Sequence, residues 1–261
     1  MKHKEIAKVI SQESIATGVY SMWIQTKDIA AKAVAGQFIS VYCKDGAKLL
    51  PRPISICEVN KEEGTLRIVY RVVGGGTTEM SGYVSGDDID ILGPLGNGFM
   101  QREGKKAILI GGGIGIPPMV QLGKELKNIV KVQTVAGYRD ELFLTDELEK
   151  NGDVYIATED GSAGTKGTVI DAIKACAVTG DVIYACGPTP MLRAIKEYAL
   201  ANDIECQISL EEKMACGIGA CLGCVCKSKE KDHHTNVNNK RICKDGPVFT
   251  KAQLNDIPPE Y

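Results

Sequence analysis

Long apolar runs are missing from this chain. No stretch approaches the roughly 18 uncharged apolar residues of a membrane-spanning helix. The first residues, MKHKEIAKVISQESIATG, carry charges but no apolar core, so they are not expected to be a secretory signal. A large charge of either sign is missing too: the net charge of −2 leaves no basic footprint for nucleic acid and no general attraction to an anionic membrane. No internal repeat is visible. Together these absences lead to the expectation of a cytosolic protein with neither nucleic acid nor membrane as partner. The 261 residues, 44% hydrophobic and 25% charged, have an ordinary globular composition and suffice for one large domain, or two modest ones and an appendage.

Cysteine, by contrast, is plentiful, with 10 in the chain. In a reducing cytosol these are not expected to form structural disulfides. Cys43, Cys57, Cys176 and Cys206 stand singly in apolar stretches and read as small buried hydrophobes. Apart from Cys186, the others concentrate near the end, in MACGIGACLGCVC (214–226) and at Cys243.

Three textures follow one another. Up to about residue 100, FISVYC (38–43), TLRIVYRVV (65–73) and DDIDILGP (87–94) are β-rich runs between Gly, Pro, Asn and Asp clusters. With no long 3.6-residue period, they predict a small antiparallel barrel. From about 103 to 210, apolar runs at 107–113, 132–138, 154–158 and 181–187 alternate with helical segments at 117–128, 144–150, 168–177 and 190–202. That alternation predicts a parallel sheet covered on both faces. ECQISLEEK (205–213) reads as a closing strand leading into the cysteines, and 227–241 as a solvated loop with His233 and His234 as bystanders. The expected boundaries are 1–101, 102–210 and 211–261.

IGGGIGIPP (110–118) puts Gly111, Gly112, Gly113 and Gly115 where a strand hands over to a helix. There the backbone can approach a pyrophosphate and the helix start offers free N–H groups. The pattern is not G-x-G-x-x-G, and a tight turn that binds nothing has the same composition. YACGPTPML (184–192) adds a second strand end with Cys186, Gly187 and Pro188. TEDGSAGTKG (158–167) adds a third, whose Glu159 and Asp160 would accept from a ribose 2′-hydroxyl and repel a 2′-phosphate, favouring NAD over NADP. In the first region, Arg52 of RPISI (52–56) has a rigid fork suited to a diphosphate, with Ser55 nearby. VYRVVGGGTT (69–78) offers glycines for backbone contacts to phosphate.

Cys216-x4-Cys221-x2-Cys224 followed by a distant Cys has the plant-ferredoxin spacing of a [2Fe–2S] cluster. Gly217, Gly219, Ala220 and Gly223 are small enough to wrap a cluster with N–H groups toward its sulfurs. Zinc lacks its usual second C-x2-C pair; redox thiols are a further alternative. Cys243 is the better fourth ligand and Cys226 the spare, although spacing also admits a swap.

In this order, RPIS, YR…GGGT, GGGIGIPP, CGPTPML and CGIGACLGC…C…DGPVF resemble the ferredoxin–NADP reductase superfamily over essentially the whole chain. Within it they most resemble the electron-transfer subunits of class 1B dihydroorotate dehydrogenases. The resemblance implies an α/β plus all-β fold: an N-terminal antiparallel FAD-binding β-barrel, a central parallel-sheet NAD-binding domain and a small C-terminal [2Fe–2S] segment. It implies FAD contacts from Arg52, Pro53, Ile54, Ser55, Val69, Tyr70, Arg71, Gly76 and Thr77, and a cluster on Cys216, Cys221, Cys224 and Cys243. Many members carry Tyr where Ile54 stands, so one flavin face is expected to lack an aromatic partner.

The implied activity is an oxidoreductase converting between two-electron and one-electron chemistry. Electrons would pass from the FMN of a dihydroorotate-oxidising catalytic subunit through the cluster and FAD to NAD+, in pyrimidine synthesis, within a heterotetramer of two of each subunit. No orotate site is evident in this chain. Hydride transfer depends on positioning, with Ser55 expected near flavin N5 and Cys186 near the nicotinamide. The alternative is the equivalent subunit of an NADH-dependent ferredoxin:NADP oxidoreductase or a sulfide dehydrogenase.

Overall fold

The computed structural model describes residues 2–229, 231, 236–254 and 257; His233 and His234 lie outside them. Six strands close an antiparallel barrel in the order β1-β2-β5-β4-β3-β6. They are β1 (His3–Ala16), β2 (Val19–Gln25), β3 (Phe38–Tyr42), β4 (Arg52–Asn60), β5 (Thr65–Arg71) and β6 (Asp88–Leu95), with short helices α1 (Lys27–Lys32) and α2 (Gly75–Ser81) at its ends. Its core is made by the inward-facing partners of each alternation, such as Ile39 and Val41 on β3, Leu66 and Ile68 on β5, and Ile89 and Ile91 on β6. The expected barrel is present, and β1, β2 and β4 complete it beyond the three runs that predict strands. Register shifts between Val9 and Ser11 and between Ser14 and Ala16 break the alternation of β1, so its pattern is not period two.

The second layer is a sheet of order β10-β9-β8-β7-β11-β12-β15. Its parallel part comprises β7 (Ala107–Gly112), β8 (Val132–Tyr138), β9 (Asp153–Thr158), β10 (Thr165–Lys166), β11 (Val182–Cys186) and β12 (Glu205–Ser209). Between them run α3 (Pro117–Leu126), α4 (Thr145–Glu149), α5 (Val169–Ala175) and α6 (Thr189–Ala201). Both faces are covered: Ile108 and Ile110 of β7 pack with α5 and α6, while Ala107 and Leu109 pack with α3 and α4. This is why the strands read as unbroken apolar runs. Pro117 and Pro118 occupy the first turn of α3, where a missing N–H costs little.

The end of the chain departs from expectation. β13 (Val225–Lys227) and β14 (Asn239–Arg241) form an antiparallel hairpin, so 227–241 is not simply a loop. After α7 (Ile242–Asp245), β15 (Val248–Thr250) pairs antiparallel with β12. β12 therefore does not close the sheet, and β15 crosses the boundary expected after residue 210. Cys57 and Cys206 are buried as expected; Cys43 is half-buried and Cys176 exposed.

The two layers are joined by α3, which lies on β4. Gln121 Oε1 accepts from Val59 N at 2.8 Å. The buried Arg67 donates to Ser21 Oγ at 2.9 Å and to Glu147 Oε1 at 3.0 Å. A buried guanidinium is tolerable only when paired in this way.

Candidate functional site

The wall of the barrel parts on one side. The β4–β5 ladder runs from Asn60↔Thr65 to Ile56↔Ile68 and ends. From Arg52 to Ser55, β4 pairs only with β3, and from Val69 to Arg71, β5 pairs only with β2. Among the described residues, the main-chain groups facing this opening have no ladder partner, and such groups demand one. RPIS and VYR are the two lips of the opening.

Each lip offers different chemistry. The side chains of Val69 and Tyr70 are buried, with Tyr70 Oη donating to Gln12 Oε1 at 2.7 Å, so these residues have only main chain to offer a ligand. Arg52 lies across Gly76 at the start of α2, donating to the Leu50 carbonyl; a Cβ on Gly76 would overlap its guanidinium. Thr77 shapes the turn, because its hydroxyl accepts from Val73 N and Gly74 N at 3.0 and 3.2 Å. Ile54 packs toward the barrel core, consistent with a flavin face lacking an aromatic neighbour. Ser55 is half-buried and makes no side-chain hydrogen bond among the described residues. A backbone-lined opening flanked by a guanidinium on a Cβ-free turn fits a flavin dinucleotide.

A cleft of about 960 Å³ opens at the carboxyl ends of β7, β8, β9 and β11. The strand order reverses between β7 and β11, which is where open α/β sheets bind ligands. Gly112 and Gly187 meet there, and a Cβ on either would overlap Met191 of α6. Gly112, Gly113, Gly187, Pro188 and Glu159 line the cleft, and Arg71 reaches it from the barrel. The volume lies within the range of small-molecule sites.

Four residues expected at this site are not on its wall. A Cβ on Gly111 would stand 2.8 Å from Ile116 Cα, and one on Gly115 would overlap the Cys186 carbonyl; both glycines serve close packing. Cys186 is 1% exposed within the core, and burial pushes its thiol far above the ordinary range, so the structure gives it no exposed edge toward a nicotinamide. Asp160 is exposed and accepts from Ser162 N and Oγ at 2.9 and 2.7 Å, outside the cleft. Sequence reasoning missed Arg139, Glu141 and Glu211, which do line it. They come from loops carrying no composition signal. Glu141 Oε2 also accepts from Thr17 N at 2.9 Å, tying the barrel to the cleft mouth.

The cysteine loop brings the late Cys243 back to the early three. The β13–β14 hairpin returns the chain to its start, so Cys243 N–H donates to Cys224 Sγ at 3.4 Å and Ile242 N–H to the Cys224 carbonyl at 2.9 Å. Arg241 braces the turn through Asp245 and the Gly219 carbonyl. Cys226 is buried as well, 3% exposed against 2% for Cys224 and 0% for Cys243, and burial pushes its thiol up to about 11. What separates it is pairing: the hydrogen bond to Cys224 comes from Cys243 and not from Cys226.

Ile218 N and Ala220 N lie 3.5 and 3.3 Å from Cys216 Sγ, and Gly223 N 3.4 Å from Cys221 Sγ. Burial opposes ionisation of Cys216, but these N–H groups and Cys221 prevail and bring its thiol down to about 6. Cys224 and Cys243 share a proton: hydrogen bonding from Cys243 lowers Cys224 to about 7, and Cys243 is raised. Among the described residues no three Cys, His, Asp or Glu side chains gather around one ion position. The thiols stand as two pairs, Cys216 with Cys221 and Cys224 with Cys243. Two pairs ringed by N–H donors fit a two-iron cluster better than one tetrahedral zinc.

A barrel with a parted wall, a parallel sheet with a cleft at its switch point and a thiol loop between them define an electron-transfer flavoprotein of the ferredoxin reductase class. The comparisons agree. The solved NADH-dependent reduced ferredoxin–NADP oxidoreductase, studied for flavin-based electron bifurcation, matches with a TM-score of 0.85 and 30% identity over 96% of this chain and 90% of that one. A Neisseria gonorrhoeae ferredoxin NADP+ reductase with bound FAD and NADP shares the fold, with a TM-score of 0.65 and 17% identity over 76% and 91%.

Residues 211–255 match the iron–sulfur cluster binding domain of dihydroorotate dehydrogenase B. The chain is 47% identical over 253 residues to the dihydroorotate dehydrogenase B (NAD(+)) electron transfer subunit of Listeria monocytogenes, covering 95% of this chain and 97% of that one. It is 43% identical over 254 residues to that of Caldanaerobacter subterraneus, covering 97% and 99%. The chain belongs to the family of dihydroorotate dehydrogenase B (NAD(+)) electron transfer subunits.

Proposed function

We propose that this chain carries electrons between a dihydroorotate-oxidising catalytic subunit containing FMN and NAD+, in the cytoplasm, within an assembly of two of each subunit. One observation carries the reading: the cysteine segment is fastened to both other parts of the molecule. β15 extends the nucleotide sheet, and Asn97 N–H donates to the Gly246 carbonyl at 2.6 Å from the barrel side. A thiol loop fastened to both the barrel and the nucleotide sheet has the placement of an electron outlet. We divide the chain at 101/102 and 210/211, with β15 lent to the middle unit.

When bound, FAD exchanges hydride with the nicotinamide and single electrons with the [2Fe–2S] cluster. The chain's own task is to hold and orient. Arg52 supplies a fork for the flavin diphosphate, with Gly76 leaving room for it. Pro53, Ile54, Val69 and Tyr70 present main chain to the ring system, and Ser55 offers a hydroxyl beside it. Gly112, Gly113, Gly187 and Pro188 let a dinucleotide approach the sheet, and Glu159 takes the adenosine ribose. Cys216, Cys221, Cys224 and Cys243 supply the four thiolates. Among the described residues no helix is long and apolar enough to cross a membrane.

Co-expression with an FMN-containing dihydroorotate dehydrogenase subunit tests the reading. The expected result is a complex that reduces NAD+ at the expense of dihydroorotate. A stable, flavin-loaded complex that reduces NAD+ only with other donors would remove it and favour the ferredoxin–NADP oxidoreductase alternative, which the 0.85 TM-score keeps in view.

A further inference from the structure

On β3, Ile39 and Val41 point into the barrel, so Ser40 between them points out. It is nevertheless 1% exposed, because the cysteine loop covers it. A Cβ on Gly217 would stand 2.8 Å from Ser40 Oγ and 3.5 Å from Leu95 Cδ1. Gly217 follows Cys216 directly and holds φ +66, so the loop bends over this hydroxyl where a side chain would collide with it.

Ser40 Oγ has no hydrogen-bond partner among the described residues. Leaving a buried hydroxyl unpaired costs more than its packing returns, and alanine would fill the place without that loss. Strand pairing sets Ser40 opposite Pro53 of the flavin lip on one side and Leu92 on the other, and the Gly217 contact sets the cysteine loop over its outward face. Cys216 is the residue next to Gly217, so the acceptors this loop brings when loaded include sulfurs.

We propose that Ser40 donates its one hydrogen bond to a sulfur of the cluster held by the Cys216 loop, and so raises the cluster's reduction potential. A donor at a sulfur favours the state carrying the extra electron, and hydrogen bonds to sulfurs are among the determinants of cluster potential. The inference rests on the cluster reading above.

The test is an anaerobic potentiometric titration of the whole FAD-loaded chain, followed by EPR of the reduced cluster, on S40A and on the same-shaped pair S40T and S40V. S40A and S40V should lower the one-electron equilibrium constant about tenfold, a shift of about 59 mV to more negative potential. S40T, which keeps the hydroxyl, should stay near the parent. If S40T and S40V shift together, Ser40 only packs; if none shifts, or if the flavin potential moves instead, the proposal is likewise overturned. A parent chain with no [2Fe–2S] signal would overturn the cluster reading itself, and Ser40 with it.

Discussion

Replacing Gly76 by alanine tests the flavin site through a single methyl group. Its Cβ would overlap Nε and Cζ of Arg52, so the guanidinium must leave its place. Gly76 is not among the left-handed glycines, and alanine in a helix is favoured over glycine, by up to about 1 kcal/mol; folding should not suffer. What is lost is a charge-assisted bond from Arg52 to the flavin diphosphate, worth about 1.5–3 kcal/mol. That corresponds to a loss of about 10- to 100-fold in FAD affinity, read by flavin fluorescence on dilution. Gly74→Ala is the control, since nothing lies within 4 Å of its Cβ, and it should bind FAD as the parent does. Arg52→Ala combined with Gly76→Ala should be no worse than either alone, because both remove one interaction. Parent-like affinity for Gly76→Ala, or additive losses in the double variant, would refute the reasoning.

The other predictions concern separate parts of the molecule. Cys226→Ser should keep iron and the cluster EPR signal, whereas Cys243→Ser should lose both; the reverse would exchange the fourth ligand. Glu159→Arg should raise the ratio of NADPH to NADH use about 10- to 100-fold by exchanging a repulsion for an ion pair, while Asp160→Asn leaves it unchanged, as steady-state kinetics will show. Arg102 Nε at 2.5 Å and Lys105 Nζ at 3.1 Å hold the Glu205 carboxyl below its ordinary value against the effect of burial. Its contribution to stability, about 0.5–1 kcal/mol, is present above the ordinary Glu value of about 4.3 and fades as pH falls through the lowered one. Urea midpoints for Glu205→Gln should therefore trail the parent at pH 7 and converge with it once the pH has fallen below the lowered value.

Where local chemistry sufficed, the sequence was legible. Buried parallel strands such as β8 read as unbroken apolar runs, Pro117 and Pro118 marked a helix start, and the x4/x2 cysteine spacing marked the cluster loop. What escaped depends on partners far away in the chain. The bulges of β1 hide its alternation, and β15 is a strand only because β12 offers an edge. The hairpin that returns Cys243 to Cys224 bridges a polar interval that reads as a loop. At the cleft, composition found the glycines but not their division of labour: Gly112 and Gly187 line it, while Gly111 and Gly115 face Ile116 and the Cys186 carbonyl. Cys186 itself was misplaced because a strand's last residue can face either the cleft or the core, and here β11 turns it into the core.

The most direct measurement is an anaerobic NADH titration of the isolated chain, followed by flavin absorbance and by EPR. With FAD present, NADH should bleach the flavin and bring up a [2Fe–2S] signal, and in FAD-stripped protein the same signal should fail to appear. A cluster that NADH reduces equally well without FAD, or does not reduce when FAD is bound, would contradict the account.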